Sequence, residues 1–304
     1  MGTPVSKGPD FFIVGAPKCG TTAMADYLGQ HPALGMCARK ETHHLATDLR
    51  PRLVVRQNHQ PFTREQYLGF FDHVQDRSRL GEASVWYLYS EAARQEIKQL
   101  APAADILIML RNPVEMLPSL HSQFVFVGVE PVEDFAAALA LDEERERDGA
   151  PRGFPPRSYR DAADYAPRVK RYLEVFGPDR VHVVIYDDFK EDTLAAVQDT
   201  FGFLGVDPSF RPKLDVVNPN TVVRSRYLRG LVRRPPERVR PILHRLSTQT
   251  ARRRVGAAYK RWNTRAVPRD PVPDGVAEAL RPLAARQAGE LEQVLGRDFS
   301  RWLA

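Results

Sequence analysis

Phe11-Phe12-Ile13-Val14-Gly15-Ala16-Pro17-Lys18-Cys19-Gly20-Thr21-Thr22 is the stretch whose reading decides the fold. Its first five residues are apolar without alternation, which predicts a short strand buried on both faces, as in a parallel sheet. Thr22 to Gln30 then carries Ala23, Met24, Tyr27 and Leu28 at helical spacing and stops before His31-Pro32. A strand-loop-helix junction of this kind presents free backbone N–H groups and the positive end of a helix dipole, a cradle for an anion. The spacing approaches that of a nucleoside-triphosphate loop, yet Thr21 stands where that loop needs its Lys, and the Lys has moved back to Lys18. Arg111 likewise ends the next central strand where an ATPase would offer an Asp for magnesium. Both departures argue against an atypical P-loop kinase.

Outward from this junction the pattern repeats. Strands are expected at Leu80 to Ser84, Asp105 to Leu110 and Arg180 to Tyr186, and helices at Ser90 to Leu100, after Pro113, at Tyr165 to Phe176 and at Thr193 to Leu204. Alternating strands and helices predict an α/β fold: a three-layer, P-loop-like parallel sheet flanked by helices, with ligands at the carboxyl ends of the strands. Asp142 to Arg160 is rich in charge, Gly and Pro and reads as a mobile loop, a candidate acceptor lid.

The chain of 304 residues, 43% of them hydrophobic, has ample material for a core, and is expected to be one domain. Within it, residues 10–220 form the nucleotide-binding core and 221–304 a basic, mainly helical C-terminal extension. The net charge of +6 is uneven: Thr221 to Arg265 holds 14 basic residues against Glu237, leaving the rest of the chain acidic. Such a segment marks contact with anions. A non-enzymatic nucleic-acid or membrane-surface protein is the competing reading, but aromatic residues for base stacking are thin there, so nucleic acid is not the favoured partner. Apolar runs are strand-sized, so no transmembrane segment is expected. Few residues precede the first strand, and two cysteines give no disulfide framework; the expected location is cytoplasmic.

Pro17-Lys18-Cys19-Gly20-Thr21-Thr22 and Arg111-Asn112-Pro113 with Ser119 together resemble two motifs of the sulfotransferases that use 3′-phosphoadenosine 5′-phosphosulfate (PAPS). The resemblance continues through Gly81 to Tyr87 and Phe203-Leu204-Gly205, over roughly residues 10 to 230. It implies that Lys18, Cys19, Gly20, Thr21 and Thr22 hold the 5′-phosphosulfate, and that Arg111 and Ser119 hold the 3′-phosphate. It also implies that Arg224, Ser225 and Arg226 close over that phosphate. Tyr165 is a candidate for the adenine side. Charge and hydroxyl chemistry at Arg111 and Ser119 suit a phosphate grip.

Arg39-Lys40-Glu41-Thr42-His43-His44 resembles the Lys-Glu-x-His segment of carbohydrate-modifying and bacterial sulfotransferases. By that resemblance Glu41 is the general base toward a hydroxyl-bearing acceptor (small molecule, glycan or lipid), His43 orients it, and Lys18 stabilises the leaving phosphate. His43 and His121 are the reserve candidates for the base. PAPS is the implied co-substrate and no metal is required. Ala83 and Val85 depart from the Lys and Pro of heparan-type enzymes, which leaves the acceptor open.

Overall fold

The computed structural model describes residues 7–49, 61–148, 156–214, 221–223, 264–266 and 272–303. Among these, five strands form one parallel sheet in the order β2-β3-β1-β4-β5: β1 Phe11–Gly15, β2 Leu34–Met36, β3 Arg79–Ala83, β4 Asp105–Leu110 and β5 Val181–Ile185. Every residue of β1 and β4 is buried, the reason neither shows an alternating pattern. β2, three residues on the sheet edge, is too short to leave a periodic signal.

Helices flank the sheet: α1 Thr21–Leu28, α2 Arg64–Leu68, α3 Glu91–Leu100, α4 Pro113–Val127, α5 Phe135–Ala140, α6 Asp142–Asp148, α7 Tyr159–Ala162, α8 Ala166–Phe176, α9 Tyr186–Glu191, α10 Thr193–Phe203 and α11 Asp274–Leu295. The α/β architecture is therefore as expected from the sequence. Ser90 caps α3 by accepting from the Ala93 N–H, and Asn112 caps α4, with Pro113 in its first turn. Arg79 ties the amino ends of three strands together: it bonds Asp10 Oδ1 at 2.5 Å, Asp105 Oδ2 at 2.7 Å and the Leu204 carbonyl at 2.7 Å. No helix among the described residues is long and apolar enough to cross a membrane.

The mobile loop expected over Asp142 to Arg160 is corrected by the structure at its two ends, residues 149–155 lying outside the described ones. Asp142–Asp148 is helical, and Asp142, Arg145, Ser158 and Tyr159 are buried. Asp142 accepts from the Tyr159 and Arg160 N–H groups, and Glu130 pairs with Arg145 and takes the Tyr159 hydroxyl at 2.9 Å. Charge density suggested solvent, but these charges satisfy one another inside. Tyr159 is thus part of the core, while Phe154 lies outside the described residues.

The chain forms two compact units, Met1–Asp215 with Val272–Ala304, and Val216–Pro271. α11 belongs with the first because it buries Leu280, Ala284, Gln287, Ala288 and Leu291, and Gln287 Oε1 takes the Tyr165 and Ala166 N–H groups at 2.7 and 3.1 Å. Of the second unit, β6 Thr221–Val223 pairs antiparallel with β7 Thr264–Ala266.

Candidate active site

Because all five strands are parallel, the loops leaving β1, β3 and β4 open at one edge of the sheet. The chain runs from β1 toward β2 on one side, then crosses after β3 to β4 on the other, so the β1/β4 crevice is the topological switch point. The 16–20 loop fills it. Its Ala16 N–H donates to the Met109 carbonyl at 2.7 Å, which pins the loop to β4. Lys18 and Gly20 both have left-handed backbone, φ 64° and 88°, and α1 begins without any side-chain cap on its first amides. This is a nest followed by an uncapped helix amino terminus, and its donors suit an anion. Gly20 is required twice over, since a Cβ there would also sit 3.2 Å from Tyr186 and 3.3 Å from Met109 and Phe189. Thr21 is buried and Thr22 half-buried at the start of α1.

Cys19 faces inward, its thiol donating to the Pro17 carbonyl at 3.4 Å. Burial pushes that thiol up to about 12, so Cys19 packs rather than reacts. Tyr165 is fully buried beneath it, edge-on to Trp302 with ring centres 6.1 Å apart. Its phenol is held well above its ordinary range, chiefly by burial.

Arg111 is 4% exposed. Its Nη1 donates to the Lys18 carbonyl at 3.3 Å, its Nε to Glu115 Oε2 at 3.0 Å, and its guanidinium lies 4.4 Å above the Tyr186 ring. A planar cation so wedged keeps one orientation, which is what a phosphate grip needs. Ser119 is buried on α4. Arg224, Ser225 and Arg226 lie outside the described residues.

Glu41 comes to the same edge from the neighbouring side. Its N–H donates to the Ala83 carbonyl at 2.9 Å, and its Oε2 accepts from the Val85 N–H at 3.0 Å. His43 Nε2 stands 3.6 Å from that oxygen, and Lys40 bonds the other. Glu41 and His43, φ 59° and 50°, join Lys18 as the non-glycine residues in left-handed backbone among the described residues. Such conformations cost energy and concentrate where geometry is imposed by function. The reserve base His121 is buried between Phe135 and Tyr159, with Nε2 bonded to the Val132 carbonyl at 2.9 Å.

Several residues at this edge escape sequence reasoning. Tyr186 under Arg111 could have been found, since it follows the last strand at its carboxyl end. Glu115, one helical turn beyond Arg111, carried a weak i,i+4 signal. Trp302 could not: it arrives from the far end of the chain, donating Nε1–H to Asp187 at 3.2 Å. Burial raises the Asp187 carboxyl above its usual value.

Residues 8–254 match the family model of a sulfotransferase domain. Among curated proteins, carbohydrate sulfotransferase 15 of Rattus norvegicus is 26% identical over 257 residues, covering 66% of this chain and 44% of that protein. Its Homo sapiens counterpart is 30% identical over 161 residues, 38% of this chain and 27% of that protein. The chain therefore spans less than half the length of the curated relatives it matches. Among solved structures, a sulfotransferase from Alicyclobacillus acidocaldarius superposes with TM-score 0.72 and 29% identity, covering 98% of this chain and all of that one.

Proposed function

Since the chain belongs to the sulfotransferase family, we propose that it moves a sulfuryl group from PAPS to an acceptor hydroxyl. The observation that carries this reading is the convergence, at one sheet edge, of the Lys18 nest with its uncapped helix, the wedged guanidinium of Arg111, and the tethered carboxylate of Glu41.

PAPS is a substrate of this reaction, and the residues fit it. The Gly20, Thr21 and Thr22 amides with Lys18 take the 5′-phosphosulfate, Arg111 and Ser119 take the 3′-phosphate, and Tyr165 and Cys19 underlie the loop. In the reaction the acceptor oxygen forms a bond to sulfur as the bond from sulfur to the bridging 5′-phosphate oxygen breaks. The acceptor proton goes to Glu41, and the charge growing on the leaving oxygen is met by Lys18 and the loop amides. The products are a sulfate ester and adenosine 3′,5′-bisphosphate. His43 holds the Glu41 carboxylate in line. The likeness to carbohydrate sulfotransferase 15 makes a glycan hydroxyl the acceptor to try first.

The test is label transfer from [35S]PAPS across glycan, lipid and phenol acceptors, alongside thermal shifts with adenosine 3′,5′-bisphosphate and with ATP plus magnesium. The bisphosphate should stabilise the fold, because a ligand raises stability only where the native state binds it. Stabilisation by ATP alone would sink the reading. Glu41→Gln should lower turnover by about 10²–10⁴-fold, the usual worth of a general base, with bisphosphate binding unchanged.

A further inference from the structure

Glu82, on β3, is wholly buried. Its Oε1 accepts from Thr42 Oγ1 at 2.7 Å, Ser84 Oγ at 2.6 Å and the Tyr87 hydroxyl at 3.1 Å. Its Oε2 accepts from the Tyr67 hydroxyl at 2.8 Å and the Tyr87 hydroxyl at 2.9 Å. Among the described residues no cation forms an ion pair with it. A buried carboxylate with four hydroxyl donors and no counter-charge is costly unless the donors are fully used. Burial raises its pKa above the usual carboxylate value, and the hydroxyls offset only part of that rise. The arrangement itself is that of an ionised acceptor, because a protonated carboxyl would force one donor to turn round.

The second tier of bonds gives the network its purpose. The His43 N–H donates to Ser84 Oγ at 3.1 Å, the His44 N–H to Thr42 Oγ1 at 3.2 Å, and the Leu45 N–H to the Tyr87 hydroxyl at 3.2 Å. Each of those hydroxyls has one proton, and each gives it to Glu82. Only lone pairs then face the loop, so three consecutive amides find acceptors.

We infer that Glu82 is the positioning residue for Glu41: its charge aligns three hydroxyls, and these hold the amides that follow Glu41. That grip supports the left-handed backbone at Glu41 and His43, which an untethered loop would relax. This inference rests on Glu41 being the base. Glu82 touches no substrate and acts through the loop. A Gln at this position keeps the volume but must donate from its amide. One hydroxyl would then have to accept from both the Gln and the loop, and its own proton would lose its acceptor.

The experiment compares wild type with Glu82→Gln, Glu41→Gln and the double variant by kcat, bisphosphate Kd and amide hydrogen exchange over residues 41–46. Glu82→Gln should lower kcat by about tenfold or more, the factor expected for one misdirected buried hydrogen bond, with Kd unchanged. Exchange at residues 43–45 should quicken, and the double variant should turn over no more slowly than Glu41→Gln. Ser84→Ala, which removes only the branch to His43, gives a milder version if Glu82→Gln does not fold. Unchanged exchange in a folded Glu82→Gln, or wild-type turnover there beside an inactive Glu41→Gln, overturns the inference while the base assignment stands. Wild-type turnover in Glu41→Gln fails the base assignment instead.

Discussion

At Lys18, Glu41 and His43 the backbone has φ of 64°, 59° and 50°, so the usual ranking of alanine above glycine should invert. At an ordinary position within an element, Gly is less stable than Ala by about 0.5–1 kcal/mol because it loses more backbone freedom on folding. At a left-handed position any Cβ crowds the following carbonyl, costing roughly 1–2 kcal/mol, and Gly escapes this. The difference favours Gly by about 1 kcal/mol. Comparing Lys18→Gly with Lys18→Ala, and likewise at Glu41 and His43, isolates the effect, because both members of a pair lack the functional side chain. The assay is urea unfolding with a thermal scan, where about 1 kcal/mol corresponds to about 2 °C for a domain of this size. Turnover should collapse in both members of the pairs at Lys18 and Glu41, so the glycine variants would be more stable than their alanine partners and still inactive. Alanine variants as stable as the glycine ones at all three positions would refute the reasoning, because the strain would then not be present in solution.

Three further outcomes are expected. Arg111→Lys keeps the charge but loses the planar fork and the stack on Tyr186; affinity for adenosine 3′,5′-bisphosphate should fall about 10–100-fold by calorimetry, the worth of one charge-assisted hydrogen bond. Adenosine 5′-phosphosulfate, lacking the 3′-phosphate, should be unaffected, and an equal loss for both ligands would contradict the assignment. Arg79→Met removes the cation that Asp10 and Asp105 share, while Arg180 stays on Asp105 and Lys7 near Asp10; a loss of about 2–3 kcal/mol is expected, below the range for fully buried pairs because these groups keep other cations and some solvent contact. Burial lowers the pKa of His121, so the unfolded chain binds its proton first as pH falls below about 6.5, and stability should drop through that window. His121→Gln, which keeps a donor for Val132 but cannot titrate, should lose less over the same window, and identical pH profiles would argue against this linkage.

The β1–loop–α1 unit and the β4 strand were legible because each is local. An unbroken apolar run of strand length, a glycine where φ must be positive, and a proline after a capping Asn act over a few residues, and their physics does not depend on what lies across the sheet. The two ends of the segment Asp142 to Arg160 were misread for the opposite reason. Asp142, Arg145 and Tyr159 are buried because they find partners in Glu130 and in one another, and composition alone describes them as a solvated loop. Glu82 shows the same limit inside a recognisable motif: its spacing marks a strand end, yet its four hydroxyl donors come from residues 42, 67, 84 and 87.

The sequence by itself therefore determined the class of fold and the family resemblance, since these follow from short-range periodicity and turn chemistry. Only the tertiary structure decided which carboxylate is tethered at the sheet edge, what locks Arg111, and that the C-terminal helix and Trp302 return to the core. Those outcomes depend on hydrogen bonds and packing between segments distant in the chain, and a buried polar group's role is set by the partners that reach it.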